Sequence, residues 1–320
     1  MKILVVGYGS IGRRHTQNLL DLKNEVIVLT NTKQKKVKDK KLVFCNSLND
    51  CLEHKPKVAV ICNVTSLHIP IAKKLAKNNI DLFIEKPLSD SIVGVNDLER
   101  IIKKQKIISM VGCNLRFHRC LKKIKEIVVQ EKLGDIILAQ VESGSYLPDW
   151  HPYEDYRKSY ASQKNLGGGV ILTCIHELDY LKWFFGKIEK IKAYSDKISD
   201  LEVNVEDYSN IITKFKNGVI AEIHLDFFQR PEIRRCKIIG TKGTLLWEST
   251  NNQVLLYNNK SKKWKKVLEI KKFNRNEMYI EEMKYFLNCV KHRKKTINSV
   301  KENIHVLNAS LKIRKSYKKW

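Results

Sequence analysis

The sequence predicts an α/β chain: a doubly wound parallel sheet, followed by an α+β domain with a predominantly antiparallel, open-faced sheet. Three observations carry this prediction. Short, wholly apolar runs alternate with amphipathic stretches through residues 1–115, as expected for parallel strands covered on both faces. A glycine-rich run, Gly7-Tyr8-Gly9-Ser10-Ile11-Gly12, joins the first apolar run to the first amphipathic one. Beyond Gly112 the rhythm changes to longer alternating runs separated by turn signals. The domains expected are 1–115 and 116–320.

The elements follow in order. Strands are predicted at 3–6, 25–29, 42–45, 58–62, 80–84 and 107–112, with helices at 10–20, 66–78 and 90–104. Ser47-Leu48-Asn49-Asp50 reads as a capped helix start. The second domain begins with a helix at 121–132 and a strand at 136–146. A loop at 147–166 leads to Gly167-Gly168-Gly169, which opens a helix to about Phe185. Strands at 208–216 and 219–228 flank Asn217-Gly218, the signal of a type I′ hairpin. Val219, Ala221, Ile223, Leu225 and Phe227 face one side of the second strand. Helices near 275–292 and 299–317 finish the chain.

Composition bounds the function. With 43% apolar and 29% charged residues over 320 positions, the chain is globular rather than disordered. No apolar run approaches the ~20 residues that cross a bilayer, and residues 3–6 are too short for a signal-peptide core. A cytoplasmic protein is expected. Lysine and arginine number 60 against 34 acids, a net charge of +26. The basic clusters at 33–41, 262–266, 291–295 and 315–319 are dispersed, and the first and third lack interleaved aromatics. They read as solvated faces, with weak polyanion adsorption and no specific nucleic-acid partner. The eight cysteines form no C-x-x-C pair and read as small buried hydrophobes in a reducing compartment, with no metal site.

Gly7-x-Gly9-x-x-Gly12 follows a strand and opens a helix, the context of a Rossmann-type dinucleotide fingerprint. Gly7 serves the tight turn, Gly9 the approach of a pyrophosphate, and Gly12 the helix–strand packing. Ser10 and Ile11 lie at the helix N-terminus, whose N–H groups suit an anion. Strand two ends Thr30-Asn31-Thr32-Lys33, without the acid that holds an NAD ribose. With Arg13, these residues favour a 2′-phosphate, and hence NADP over NAD. Lys86, in Glu85-Lys86-Pro87, stands at the carboxyl end of a buried strand, where α/β folds place ligands and where desolvation turns lysine into a proton carrier. His176, Asp179 and Tyr180 share one helix face. The loop 148–157 concentrates Trp150, His151, Tyr153, Tyr156 and Arg157, a surface suited to a sugar and to an anionic group on it. Taken singly, Lys86 is more commonly a strand-end surface lysine and His176 a core histidine, while 148–157 is as readily an ordinary loop.

The glycine loop, Glu85-Lys86-Pro87, Asn114-Leu115-Arg116-Phe117, and Gly167-Gly168-Gly169 followed by His176 and Asp179 occur in a telling order. The chain thereby resembles the Gfo/Idh/MocA oxidoreductases over about residues 1–250. The resemblance implies that Lys86 and His176 are a proton-transfer pair for hydride exchange with a secondary alcohol. It implies that Thr65, His68, Glu85 and Lys86 lie by the cofactor, NAD or NADP. It places Arg116, Thr173 and Asp179, with Trp150, Tyr156 and Arg157, on the substrate. It also implies a sugar or sugar-nucleotide substrate in surface-polysaccharide biosynthesis, and a dimer or tetramer formed through the second sheet. The chain departs from the family at three points: Thr173 where an acid is usual, Cys62-Asn63-Val64-Thr65 in place of Thr-Pro, and His118-Arg119 where a proline is frequent. These departures motivate an alternative, a dinucleotide-binding sensor or scaffold without turnover. A polyanion-binding protein driven by net charge is a third reading.

Overall fold

The computed structural model describes residues 1–32 and 39–316. Lys33, expected at the cofactor, lies outside the described residues. The chain divides into two compact units, Met1–Asn114 with Asn276–Leu307, and Leu115–Arg275 with the chain from Asn308 onward.

The first unit opens with β1 (Lys2–Val6), α1 (Ser10–Asp21), β2 (Glu25–Leu29), β3 (Leu42–Cys45), α2 (Leu48–Glu53) and β4 (Val58–Ile61). It continues through α3 (His68–Lys77), β5 (Asp81–Glu85), α4 (Val95–Lys104) and β6 (Ser109–Gly112). All strands pair in parallel in the order β3-β2-β1-β4-β5-β6. Ile3, Leu4, Val58, Val60, Leu82 and Phe83 are fully buried, and each such side chain stabilises the fold by roughly 1.5–3 kcal/mol. Ser47 caps α2, its hydroxyl accepting the Asp50 N–H at 3.2 Å. Two helices start later than predicted. A 3-10 turn at Thr65–Leu67 precedes α3. Gly94 adopts a left-handed φ of 73°, which delays α4 to Val95.

The second unit contains α5 (Arg119–Val129), β7 (Ile136–Gly144), α6 (Val170–Thr173), α7 (His176–Phe185), β8 (Ile188–Asp196) and β9 (Tyr208–Phe215). Then follow β10 (Ile220–Asp226), β11 (Ile233–Gly240), β12 (Gly243–Glu248), β13 (Gln253–Asn258) and β14 (Lys263–Glu269). They form one sheet, β14-β13-β12-β11-β7-β10-β9-β8, antiparallel except where β7 meets β10. Ala221, Ile223 and Leu225 are buried, whereas Ile220 and Ile212 are exposed on the open face.

Two local expectations are corrected. The helix expected from the triglycine to Phe185 is broken at Cys174 (φ −94°, ψ 34°), so that α7 begins at His176. The β9–β10 turn is not type I′, which needs positive φ at both central residues. Only Gly218 has it, at 91°, and its N–H donates to Phe215 O. That is a type I turn closed by a left-handed glycine.

The chain ends in α8 (Arg275–Lys291) and α9 (Val300–Arg314). Residues 276–307 were expected in the second domain but cluster with the first unit. The reason is the exposed edge of β6. Val111 N–H donates to Asn298 O at 2.8 Å, Asn298 Nδ2 donates back to Val111 O at 3.0 Å, and Thr296 Oγ1 donates to Ser109 O at 2.6 Å. All eight cysteines are buried free thiols. Among the described residues no helix is long and apolar enough to cross a membrane.

Candidate active site

In the first unit β1 lies between β2 and β4, so the strand order reverses beside it, where doubly wound sheets open a crevice at the carboxyl ends of the strands. The glycine loop occupies that end. Gly7 has φ 91°, and a Cβ there would sit 2.9 Å from the Asn63 backbone. A Cβ on Gly12 would collide with the Gly7 carbonyl. Gly9 differs: a Cβ there would meet no protein atom within 4 Å, so packing does not demand glycine. Gly9 begins α1 without a side-chain cap, which leaves the helix N–H groups at Ser10, Ile11 and Gly12 to an anion. These residues fit a dinucleotide pyrophosphate.

Arg13 is exposed, and its Nε donates to Tyr8 O at 3.2 Å. At the end of β2, Thr30 N–H donates to Cys45 O at 3.1 Å and Thr30 Oγ1 accepts the Thr32 N–H at 3.2 Å, with Asn31 exposed. Thr65 is buried in the turn after β4. His68, expected at the cofactor, is 1% exposed, and both ring nitrogens face backbone carbonyls. Its Nδ1 lies 2.9 Å from Pro87 O and its Nε2 3.0 Å from Asn63 O, tying the β4 loop to the segment after β5. Burial drives its pKa down, ahead of the carbonyl contacts that raise it.

Glu85 was likewise expected at the cofactor, but its carboxylate turns to α1. His15 Nε2 lies 2.6 Å from Glu85 Oε1, while Glu85 Oε2 accepts the Lys86 N–H at 3.2 Å. His15 is fully buried, edge-on to Phe83 at 5.3 Å and to Tyr279 at 5.9 Å. Sequence reasoning missed His15. Its signal was a polar residue four positions from both Ile11 and Leu19, on the inward face of α1. Lys86 itself is half-buried at the end of β5.

In the second unit α7 carries His176, Glu177 and Asp179, all buried. Arg116, in the 3-10 turn Asn114–Phe117, grips Asp179 through Nε to Oδ2 at 2.7 Å and Nη2 to Oδ1 at 2.8 Å. The two residues expected at the substrate are thus bound to each other as a buried clamp. Glu177, unremarked in the sequence, accepts from Arg234 Nε at 2.9 Å, and Arg234 Nη2 donates to Ser143 Oγ at 3.1 Å. Thr173 is buried, its N–H closing on Gly169 O at 3.0 Å. Trp150 Nε1 donates to Ser145 Oγ at 2.8 Å and its ring stands edge-on to Phe227. Tyr156 OH accepts the Glu202 N–H at 3.1 Å. Arg157 donates to Asp155 at 2.8 and 3.1 Å and to Glu202 at 3.4 Å. These acids, Asp155 first, raise its pKa and keep the guanidinium charged.

Two family models match the chain. Residues 1–113 match an oxidoreductase family with an NAD-binding Rossmann fold, and residues 121–246 match the GFO/IDH/MocA C-terminal domain. Myo-inositol 2-dehydrogenase of Thermotoga maritima is 26% identical over 307 residues, covering 91% of this chain and 88% of that protein. Among solved structures, levoglucosan dehydrogenase in complex with NADH superposes with a TM-score of 0.87 at 15% identity, covering 99% of this chain and 96% of the other. UDP-N-acetylglucosamine 3-dehydrogenase from Acidithiobacillus ferrooxidans gives 0.81 at 18% identity, covering 99% and 98%. At these identities the structural likeness speaks for the fold.

Proposed function

The chain belongs to the Gfo/Idh/MocA oxidoreductases, whose N-terminal domain is an NAD-binding Rossmann fold, and from this we propose a specific activity. It moves hydride between a nicotinamide dinucleotide and a secondary alcohol or ketone carbon of a sugar, cyclitol or sugar nucleotide. The observation that carries the proposal is Lys86, half-buried at the carboxyl end of β5, with its peptide N–H held by Glu85. The dinucleotide supplies hydride acceptance or donation; the residues of the chain supply binding, orientation and the proton.

Gly7, Gly9, Gly12 and the α1 N-terminus bind the pyrophosphate. Arg13, Thr30 and Asn31 accept a 2′-phosphate, since residues 29–32 offer no carboxylate to a ribose hydroxyl. Lys86 takes the hydroxyl proton in oxidation and returns it in reduction, with His176 as the second group of the pair. Thr173, Trp150 and Tyr156 border the substrate. The names of the relatives, which act on myo-inositol, levoglucosan and UDP-N-acetylglucosamine, support a polyhydroxylated ring as substrate. A cytoplasmic role in surface-polysaccharide synthesis and self-association through the open sheet face complete the reading.

Buried Thr173 favours a second reading, in which the chain binds dinucleotide and senses or scaffolds without turnover. One experiment separates the two. The purified protein is titrated with NADH and NADPH by fluorescence, then assayed at the nicotinamide band against those three compounds and related nucleotide sugars. Turnover of one of them supports the enzyme, and gain of turnover only in Thr173→Asp supports the second reading. Failure to bind either dinucleotide contradicts both.

A further inference from the structure

Resting on the assignment of Lys86 as proton carrier, we propose that His15 is its positioning residue, acting through Glu85. The two side chains are 70 positions apart in sequence, yet Nε2 and Oε1 stand 2.6 Å apart with His15 fully buried. In a low-dielectric interior such a bond is strong, and loss of one partner leaves a polar group stranded. Glu85 uses its other oxygen on the Lys86 N–H at 3.2 Å. The contact therefore runs from α1, the helix opened by the glycine loop, to the peptide that carries the lysine.

The far side of Lys86 is held as well, because His68 Nδ1 lies 2.9 Å from Pro87 O. Lys86 is thus bracketed by two buried histidines, neither of which needs to touch a ligand. Support of this kind matters because a displacement of about 1 Å at a reacting group can cost about 100-fold in rate. The competing explanation is that His15 is merely a ring packed between Phe83 and Tyr279. Phenylalanine keeps that packing and removes the bond to Glu85.

The test compares His15→Phe, His15→Gln, Glu85→Gln and Lys86→Ala in the full chain. Lys86 amide exchange, NADH affinity and kcat and KM are measured on myo-inositol, levoglucosan and UDP-N-acetylglucosamine. His15→Phe is expected to speed exchange of the Lys86 amide about 10-fold and to lower kcat about 10- to 100-fold. KM, NADH affinity and the amides of β1 and β4 should stay unchanged. His15→Gln, which retains a donor, should restore most of the loss, and Glu85→Gln should repeat it. An unchanged Lys86 amide in His15→Phe overturns the inference, whether or not any of the three compounds is turned over. So does a fall in kcat that tracks lost NADH affinity. Full turnover by Lys86→Ala would instead remove the catalytic assignment, while faster exchange in His15→Phe would still uphold the positioning of the peptide.

Discussion

Arg116 and Asp179 form a bidentate ion pair, 2.7 and 2.8 Å long, with only 3% and 1% of the two residues exposed. Replacing either alone strands a buried charge and should cost about 3–5 kcal/mol in urea unfolding. The pair Arg116→Met with Asp179→Leu should recover most of that loss. A pair that instead served the substrate would appear in KM, with stability little changed.

The glycine loop offers a sharper contrast. Gly12→Ala drives a Cβ into the Gly7 carbonyl and should destabilise the first unit, visible as a lower melting temperature. Gly9→Ala meets no protein atom, so stability should stay within about 1 kcal/mol while NADH affinity falls at least 10-fold. Unchanged affinity in Gly9→Ala would mean that the pyrophosphate does not pass there.

This contrast also marks what the sequence made legible. Apolar runs between amphipathic ones located the parallel strands, and the glycine spacing located the crevice, because both signals are local. Partners distant in sequence were not legible. Nothing near Glu85 announces His15, and nothing near Arg116 announces Asp179. The partner of His68 was hidden in the same way, since only the fold brings Pro87 O against it. The return of residues 276–307 to the first unit follows from covering the edge of β6, which no local pattern encodes.

His118 predicts an acid-sensitive fold. It caps α5, its Nδ1 accepting the Cys120 N–H at 3.1 Å, and burial lowers its pKa from 6.5 to about 4. The folded state therefore favours the neutral ring. Its stabilising contribution is complete above pH 6.5 and is lost as pH falls towards about 4, roughly 3 kcal/mol in all. His68, lowered in the same direction, adds to this slope. His118→Asn keeps a capping acceptor and should flatten stability measured by urea unfolding across that window.

Glu206 predicts a slope of opposite sign. A Cβ on Gly169 would strike its carboxylate, and burial raises its pKa from 4.5 against the weaker pull of Arg314. The folded state favours the protonated acid, so stability declines as pH rises from 4.5 towards the raised folded value. Glu206→Gln removes that decline. Its melting temperature should exceed that of the unaltered chain at neutral pH and converge with it in acid.

If Lys86 moves the proton on a sheet that binds a nicotinamide dinucleotide, Lys86→Ala separates turnover from binding. NADH and NADPH titrations should give affinities within a few-fold of the unaltered chain, while turnover of the best sugar-type substrate falls at least about 100-fold. Turnover retained by Lys86→Ala with dinucleotide still bound would mean that another group moves the proton.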